Sequence, residues 1–183
     1  MVELPANKKI VVYFSSSGDE IVELDLDWDS YFGGQETALA LVGQICAEDP
    51  DTYFIVRSHP HKRHKPKHDV QEWMSAVEKT KPDLHLDPHS EVDSYALMRA
   101  ADLVITYGST SGVEAAFANK PVIVMGPCAY NILGVAFVCT AQTQGDEPTQ
   151  LLPAPFVLGQ EGQSGPLIDY KLCAVDDGQA RGL

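Results

Sequence analysis

The sequence predicts an α/β domain with a parallel sheet, and three observations support this prediction. Short apolar runs alternate along the chain with longer segments of helical periodicity, as strands and helices alternate in βαβ units. The apolar runs are rich in β-branched residues, which is typical of strands covered on both faces. Polar loops follow four of the strands, at residues 15–18, 58–60, 108–111 and 126–130. In parallel sheets these loops share one edge, where ligands bind.

The first half of the chain contains three of the predicted strands. The elements predicted there, in order, are a strand over 8–15, a helix over 33–48, a strand over 52–56, a helix over 70–80 and a strand over 84–86. The first helix has apolar residues at i, i+3, i+4 and i+7 from Ala38 onward, which forms one apolar face. The second helix has Val70, Trp73 and Val77 on one face in the same way.

The second half continues the alternation. A helix is predicted to start within Ser90-Glu91-Val92-Asp93, which resembles a capping sequence, and to reach Ala101. The elements predicted after it are a strand over 103–106, a helix that starts at the Ser-Thr turn, a strand over 122–125 and a strand over 135–139. Asn119 suits the residue just past a helix, and Pro121 cannot continue one. We expect one domain over residues 1–140 and an irregular, partly disordered tail over 141–183.

Composition and charge exclude several classes of protein. The chain has 183 residues and a net charge of −13, so nucleic acid is not an expected partner, because affinity for polyanions comes largely from Lys and Arg. No apolar run approaches the roughly 20 residues of a membrane span, and no signal peptide is evident at the N-terminus. The four cysteines are scattered without a Cys-x-x-Cys pair, which predicts reduced thiols in a cytoplasmic protein.

One basic segment, residues 57–68, interrupts this acidic background. It contains five Lys or Arg residues and four histidines, and no acid. We interpret it as a local anion site, with a solvated loop as the alternative. Within it Pro60 should hold His59 extended, so that His59 can donate to a phosphate or a base carbonyl; the alternative is a strand-end histidine that caps local backbone carbonyls. No metal site is expected, because the prolines break any common helical face and the cations repel a metal ion.

The turn Gly108-Ser109-Thr110-Ser111-Gly112 is a second candidate anion site. Its hydroxyls and the amides at a helix start can bind a phosphate. The alternative is a plain helix cap, since Ser111-x-x-Glu114 has the form of a capping box. Glu114 can equally accept hydrogen bonds from ribose or sugar hydroxyls.

An acidic pair, Asp19 and Glu20, follows the first strand. The two carboxylates are candidates for a general base or for binding hydroxyl groups. A solvated loop is an equally good interpretation of this pair.

The residues also carry a family resemblance. The sequence from Ser94 through Gly-Ser-Thr-Ser-Gly-Val-Glu-Ala, followed by Asn-Lys-Pro-Val-Ile-Val-Met-Gly, resembles the nucleotide-sugar-binding half of GT-B glycosyltransferases. Together with Tyr-Phe-Ser-Ser-Ser-Gly-Asp-Glu, Gln35-Glu36 and Val-Arg-Ser-His-Pro, it most resembles bacterial transferases of capsule and surface polysaccharide synthesis. The resemblance covers residues 8–140 and implies a Rossmann-like, three-layer domain.

The resemblance implies a metal-independent transferase without a cofactor, whose donor substrate is a CMP-, CDP- or UDP-activated sugar. In related transferases a His-Pro pair contacts the nucleotide and a Ser/Thr pair holds its phosphate. These roles carry over to His59 and Pro60, and to Ser109 and Thr110, while Glu114 matches the acid that binds ribose or sugar. With Arg57, Gly108 and Ser111 as neighbours in the same loops, these residues form the predicted donor site. The same half-domain also resembles sugar-nucleotide epimerases and polyol-phosphate transferases.

The resemblance also implies a partner. GT-B enzymes have two such domains, and the acceptor half, which often supplies the catalytic base, is expected before this one. We therefore expect an acceptor-binding domain or a second chain, and a lipid-linked or glycan acceptor. The alternative is a noncatalytic nucleotide- or sugar-binding remnant. A peripheral position at the inner membrane is implied only by the acceptors of the family.

Overall fold

The fold is built on one sheet of six parallel strands. The computed structural model describes residues 3–17 and 32–138. The strands are β1 (Lys9–Phe14), β2 (Thr52–Arg57), β3 (Leu84–Leu86), β4 (Leu103–Thr106), β5 (Val122–Val124) and β6 (Phe137–Val138). Their order across the sheet is β3-β2-β1-β4-β5-β6, and every neighbouring pair is parallel. This is the strand order of a Rossmann fold, so the predicted α/β class is confirmed.

Helices cover both faces of the sheet. The α-helices are α1 (Gln35–Ala47), α2 (Lys67–Thr80), α3 (Ser94–Ala100) and α4 (Ser111–Phe117). Two short 3₁₀ helices, Pro60–His64 and Asn131–Leu133, lie in the loops after β2 and β5. In the described ranges, no helix combines the length and the apolar character needed to cross a bilayer.

Two hydrophobic cores lie on opposite faces of the sheet, as the period of two in a strand requires. On β1, Val11 and Tyr13 pack into the core beneath α1 and α2. The intervening Val12 and Phe14 pack into the other core, with residues of α3 and α4. Both faces of the central strand are therefore buried, which explains its uninterrupted apolar sequence.

The structure places one helix start earlier than the sequence predicts and the next within the predicted capping sequence. Helix α2 begins at Lys67 rather than at residue 70, directly after Pro66 in the N-cap position. Helix α3 begins at Ser94, and Asp93 caps it by accepting a hydrogen bond from the Tyr95 amide at 2.9 Å. Asp93 is the last residue of the predicted capping sequence, and the carbonyl of Ser90 accepts a hydrogen bond from Arg57.

The other boundaries agree within a few residues. Asn119 follows α4 in the left-handed region with φ 56°, as its position past a helix predicts. The predicted tail over 141–183 and the acidic pair Asp19 and Glu20 lie outside the described residues.

Candidate functional site

The candidate site lies at the carboxyl ends of β1 and β4, where the strand order reverses. The chain proceeds from β1 to β2 and β3 on one side, and then crosses to β4, β5 and β6 on the other. The loops after β1 and β4 therefore leave the sheet in opposite directions, and a crevice opens between them. Residues 15–17 and 107–110 belong to these two loops. The predicted convergence of polar loops on one edge follows from this all-parallel order.

Thr106, the last residue of β4, joins the two loops. Its hydroxyl donates to the carbonyl of Phe14 at 3.1 Å and accepts from the amide of Ser109 at 3.2 Å. The side chain is fully buried, so both bonds are shielded from water. Gly108, which lies between Thr106 and Ser109 in the chain, adopts φ 73°, a left-handed conformation that favours glycine. The Ser-Thr turn is thus fixed relative to the end of β1.

The loop after β5 closes over the same turn. Tyr130 donates its hydroxyl to the carbonyl of Ser109 at 2.7 Å. Burial raises the pKa of Tyr130 well above its usual range, so the phenol stays protonated and remains a donor. A Cβ atom on Gly112 would collide with the Tyr130 hydroxyl, so glycine at this position permits the contact.

The predicted capping box at Ser111 is wrong. Ser111 is the first residue of α4, and Thr110 holds the N-cap position with αR backbone angles and no side-chain cap. Instead, the Ser109 hydroxyl oxygen accepts a hydrogen bond from the Ser111 amide at 3.3 Å. Glu114 is exposed and accepts a hydrogen bond from the Tyr95 hydroxyl at 3.2 Å. Because helical geometry already begins at Thr110, Ser111 does not hold the N-cap position.

Three serine hydroxyls at this edge have no hydrogen-bond partner in the described part of the chain. Ser16 and Ser17 are 1% and 6% exposed, and their Oγ atoms, with that of Ser111, are buried and unpaired. A buried hydroxyl without a partner costs about 1–3 kcal/mol, so such groups are rare in folded proteins. The sequence analysis placed Ser16 and Ser17 in a polar loop at this edge but did not predict them as site residues. The run of three serines directly after a buried strand could have indicated them.

The loop after β1 is held in place by hydrogen bonds at Ser15 and at Ser16. The amide of His59 donates to the Ser15 hydroxyl at 2.8 Å, which ties the loop after β2 to the loop after β1. The amide of Ser16 donates to the buried Gln35 side chain at 2.6 Å. Gln35 opens α1, so the loop after β1 is held from the helix as well.

His59 lies beside the crevice in the extended conformation that Pro60 predicts, with φ −62° and ψ 132°. Its Nδ1 atom accepts a hydrogen bond from the His61 amide at 3.1 Å, and this bond caps the 3₁₀ helix that Pro60 begins. The neutral ring therefore carries its proton on Nε2. His59 therefore caps a backbone amide rather than the backbone carbonyls of the predicted alternative, and its own amide is bonded to Ser15.

Arg57 points into the protein. Its guanidinium donates to the carbonyls of Asp87 at 2.8 Å and Ser90 at 3.1 Å, and only 4% of the residue is exposed. Desolvation lowers the pKa of Arg57, although Asp87 opposes the shift. These bonds hold the loop after β3 against β2. The assignment of Arg57 to a phosphate stays a prediction.

A shallow apolar groove lies beside Glu114, between α3 and α4. Its volume is about 440 Å³, and its lining includes Tyr95, Met98, Val113 and Phe117. Tyr95 and Glu114, which share a hydrogen bond, both line this groove. In the residues that the structure describes, no cluster of His, Cys, Asp and Glu side chains has the geometry of a metal site.

Solved structures share this Rossmann-like fold. A β-Kdo 2,4 transferase KpsC from Thermosulfurimonas dismutans is 17% identical with a TM-score of 0.51, and the match covers 74% of this chain and 39% of KpsC. A candidate UDP-N-acetylglucosamine 2-epimerase from Listeria monocytogenes gives 17% identity and a TM-score of 0.51, over 74% of this chain and 33% of that one. At such identities the likeness shows the fold alone. It agrees with the predicted half of a GT-B fold, and this chain spans well under half of either protein.

The family follows from the sequence itself. Residues 2–152 match the family described as capsule polysaccharide biosynthesis protein, and the match covers most of the 183 residues. The chain therefore belongs to this family, and the predicted resemblance to capsule polysaccharide synthesis proteins is confirmed. No curated protein sequence matches it.

Proposed function

We propose that this chain is the donor-binding half of a glycosyltransferase of capsular or surface polysaccharide synthesis. Its substrate would be a nucleotide-activated sugar. The observation that carries the proposal is the set of three buried, unpaired hydroxyls at the switch point: Ser16, Ser17 and Ser111. A bound phosphate would supply the acceptor oxygens that these hydroxyls lack within the described residues.

The surrounding residues suit a phosphate whose charge increases during the reaction. When a sugar leaves its nucleotide, negative charge develops on the phosphate, and donors already in place stabilise it without reorganisation. Ser109 and Thr110 lie in the turn that Thr106 and Tyr130 fix. His59 would add its Nε2 proton as a donor. The proposal gives the charge stabilisation to these groups and needs no metal ion.

Glu114 would bind the sugar or ribose of the donor. Its carboxylate is exposed at the start of α4 and is oriented by the Tyr95 hydroxyl. A carboxylate accepts hydrogen bonds from sugar hydroxyls, and the second oxygen remains available for them. Acceptor activation would fall to an acceptor-binding domain or chain, since no catalytic base is assigned among the described residues.

Titration of CMP, CDP and UDP against the full chain tests the proposal. We expect a dissociation constant of about 1 mM or lower for one of them. Ser16→Ala and Ser111→Ala should each weaken that binding about fivefold or more, because each removes a hydrogen bond to a charged group. Neither should lower the melting temperature, because neither hydroxyl has a hydrogen-bond partner to lose among the described residues.

Ser75→Ala is the matched control, since Ser75 is exposed on α2 away from this edge. Absence of binding by all three nucleotides at about 10 mM would exclude a donor site. Equal affinities of Ser16→Ala, Ser111→Ala and Ser75→Ala would remove the hydroxyls from it. Preference for CMP would favour a transferase over an epimerase-like domain that uses UDP-sugars, whereas preference for UDP fits both.

A further inference from the structure

Gln35, the first residue of α1, is a polar side chain buried beside the loop after β1. Only 3% of the residue is exposed, and its side-chain oxygen accepts a hydrogen bond from the Ser16 amide at 2.6 Å. Because a backbone amide can only donate, this bond fixes which end of the Gln35 side chain is the oxygen. The other end is therefore the NH₂ group, which carries two N–H donors.

The NH₂ group of Gln35 has no hydrogen-bond partner in the part of the chain that the structure describes. Within those residues, the bond to the Ser16 amide is the one that this side chain makes. The hydroxyl of Tyr13 donates to the backbone carbonyl of Gln35 at 3.4 Å, and not to its side chain. A donor on a buried side chain is destabilising when it is left unpaired, so this NH₂ group points to a ligand that supplies an acceptor.

Two further donors accompany Gln35. The hydroxyls of Ser16 and Ser17 are buried and unpaired within the described residues, and the hydrogen bond to Gln35 places Ser16 beside the N-terminus of α1. A hydroxyl can donate or accept, whereas an NH₂ group can only donate. The ligand that satisfies all three groups must therefore offer several acceptor atoms.

The position of these donors in the fold favours phosphate oxygens as the acceptors. Helix α1 has 13 residues, and its N-cap residue, Gly34, makes no side-chain cap, so no capping side chain takes the amides of the first turn. Such amides suit phosphate oxygens, and the junction of the first strand and helix is where Rossmann folds bind phosphates. Glu36 already supplies an acid to this turn, so neutral donors, and not the helix dipole, would hold the phosphate.

We propose that Gln35 binds the donor substrate, with its NH₂ group donating to a phosphate of the nucleotide-activated sugar while its side-chain oxygen holds Ser16. This inference rests on the proposed function. One neutral side chain would then fix the loop after β1 and also contact the ligand. A glutamate at this position could still accept from the Ser16 amide, but it would place a negative charge against the phosphate.

Affinity of the full chain for CMP, CDP and UDP tests the proposal, and the variants are compared for the nucleotide that the wild type prefers. Gln35→Met removes both contacts and should lose about tenfold or more in affinity. Gln35→Glu keeps an acceptor for Ser16, yet it should lose more than Gln35→Met because its charge repels the phosphate. Gln44→Glu adds the same charge at an exposed position of α1 and should stay within about twofold of the wild type.

The side-chain NH₂ resonances of Gln35 give a second readout, which uses the wild-type chain. In proton–nitrogen correlation spectra they should shift when the preferred nucleotide is added, and stay in place when only its nucleoside, cytidine or uridine, is added. The exposed Gln44 is the control and should not shift with either compound. An equal shift with the nucleoside would assign Gln35 to the ribose or the base and overturn the phosphate contact.

The outcomes separate this inference from the proposed function. If Gln35→Glu binds the nucleotide more tightly than Gln35→Met, the role of Gln35 is only to hold Ser16, and the inference is overturned while the donor site remains. Where a Gln35 variant has a lowered melting temperature, the spectra of the wild-type chain decide, and unshifted Gln35 resonances with bound nucleotide overturn the inference. Binding of none of the three nucleotides by the wild type would overturn the proposed function and this inference with it.

Discussion

At the scale of single residues, close packing around the Ser-Thr turn shapes the candidate site. Gly112 leaves space for the Tyr130 hydroxyl, and that hydroxyl fixes the carbonyl of Ser109. Thr106 holds the amide of the same serine. The turn is therefore set by a glycine, a tyrosine and a threonine that need not contact any ligand.

Gly112→Ala should destabilise the protein by about 1–3 kcal/mol, as overpacking of a filled site does. The added Cβ meets the Tyr130 hydroxyl and lies 3.0 Å from Thr106 Cγ2. Urea unfolding measures the loss. In a Tyr130→Phe background the same substitution should cost less, because the colliding hydroxyl is absent. Strict additivity of the two changes would show that this contact is not the cause.

At the scale of secondary-structure elements, aspartates in front of two strands complete the sheet. The carboxylate of Asp102, just before β4, accepts from the Ile10 amide at 2.8 Å. The carboxylate of Asp83, just before β3, accepts a hydrogen bond from the Phe54 amide in β2 at 2.8 Å. Each aspartate satisfies a backbone amide near the start of the neighbouring strand, where the ladder has not yet begun.

Asp102→Ala should cost about 1–3 kcal/mol of unfolding free energy, because the Ile10 amide loses a charged acceptor. Asp102→Asn should cost clearly less, since its side-chain oxygen can still accept. Urea unfolding of the two variants gives the comparison. Equal losses would show that charge, and not the hydrogen bond to Ile10, accounts for the effect.

A second element-scale feature joins α2 to β3 behind His59. Trp73 donates its ring N–H to the Ser58 hydroxyl at 2.7 Å, and this hydroxyl lies 2.9 Å from Nε2 of His85. Because the Ser58 oxygen accepts from Trp73, its own O–H can donate to Nε2 of His85, which is an acceptor when the ring is neutral. Desolvation lowers the pKa of His85 from its usual value, with Arg57 acting in the same direction and Asp87 against it.

This shift predicts a pH dependence of stability. His85 takes up a proton more readily in the unfolded chain than in the folded one, so its contribution to stability is complete above about pH 6.5 and is lost as the pH falls below it. His85→Gln should therefore reduce the difference in unfolding free energy between neutral and mildly acidic solution. His89→Gln, at an exposed position, is the control and should reduce it less. An unchanged difference in His85→Gln would contradict the prediction.

At the scale of the whole molecule, the sheet order brings the site together. Residues of the loops after β1, β2 and β4 are far apart in sequence and meet because these strands are neighbours. The strands from Lys9 to Val138 form one continuous sheet with a hydrophobic core on each face. We therefore propose that residues 1–140 form a folding unit.

A chain that ends at residue 140 should unfold cooperatively in urea, with an unfolding free energy within about 1 kcal/mol of the full chain's and a similar dependence on urea. Urea titration followed by circular dichroism is the measurement. It should also bind the same nucleotide as the full chain. Non-cooperative unfolding of the shorter chain would show that residues after 140 belong to the core.

Much of the fold could be predicted from the sequence, because periodicity and turn residues are local signals. The strands at Leu103–Thr106 and Leu84–Leu86 were predicted with their observed bounds. The start of α3 was predicted only to within Ser90–Asp93, and the structure selects Asp93 as the N-cap. The predicted capping box at Ser111 is wrong, since helical geometry begins one residue earlier, at Thr110.

The sequence by itself determined the α/β class, the family and the loops that carry the polar residues, since each depends on local pattern. Only the tertiary structure decided which of those polar side chains have partners inside the protein. Arg57 and Lys62 turn inward because burial gives them carbonyl and aromatic partners. Ser16, Ser17 and Ser111 stay without partners among the described residues because no neighbouring strand or helix supplies an acceptor. Whether a polar group finds a hydrogen-bond partner depends on its neighbours in space, and these cannot be read from the spacing of residues along the chain.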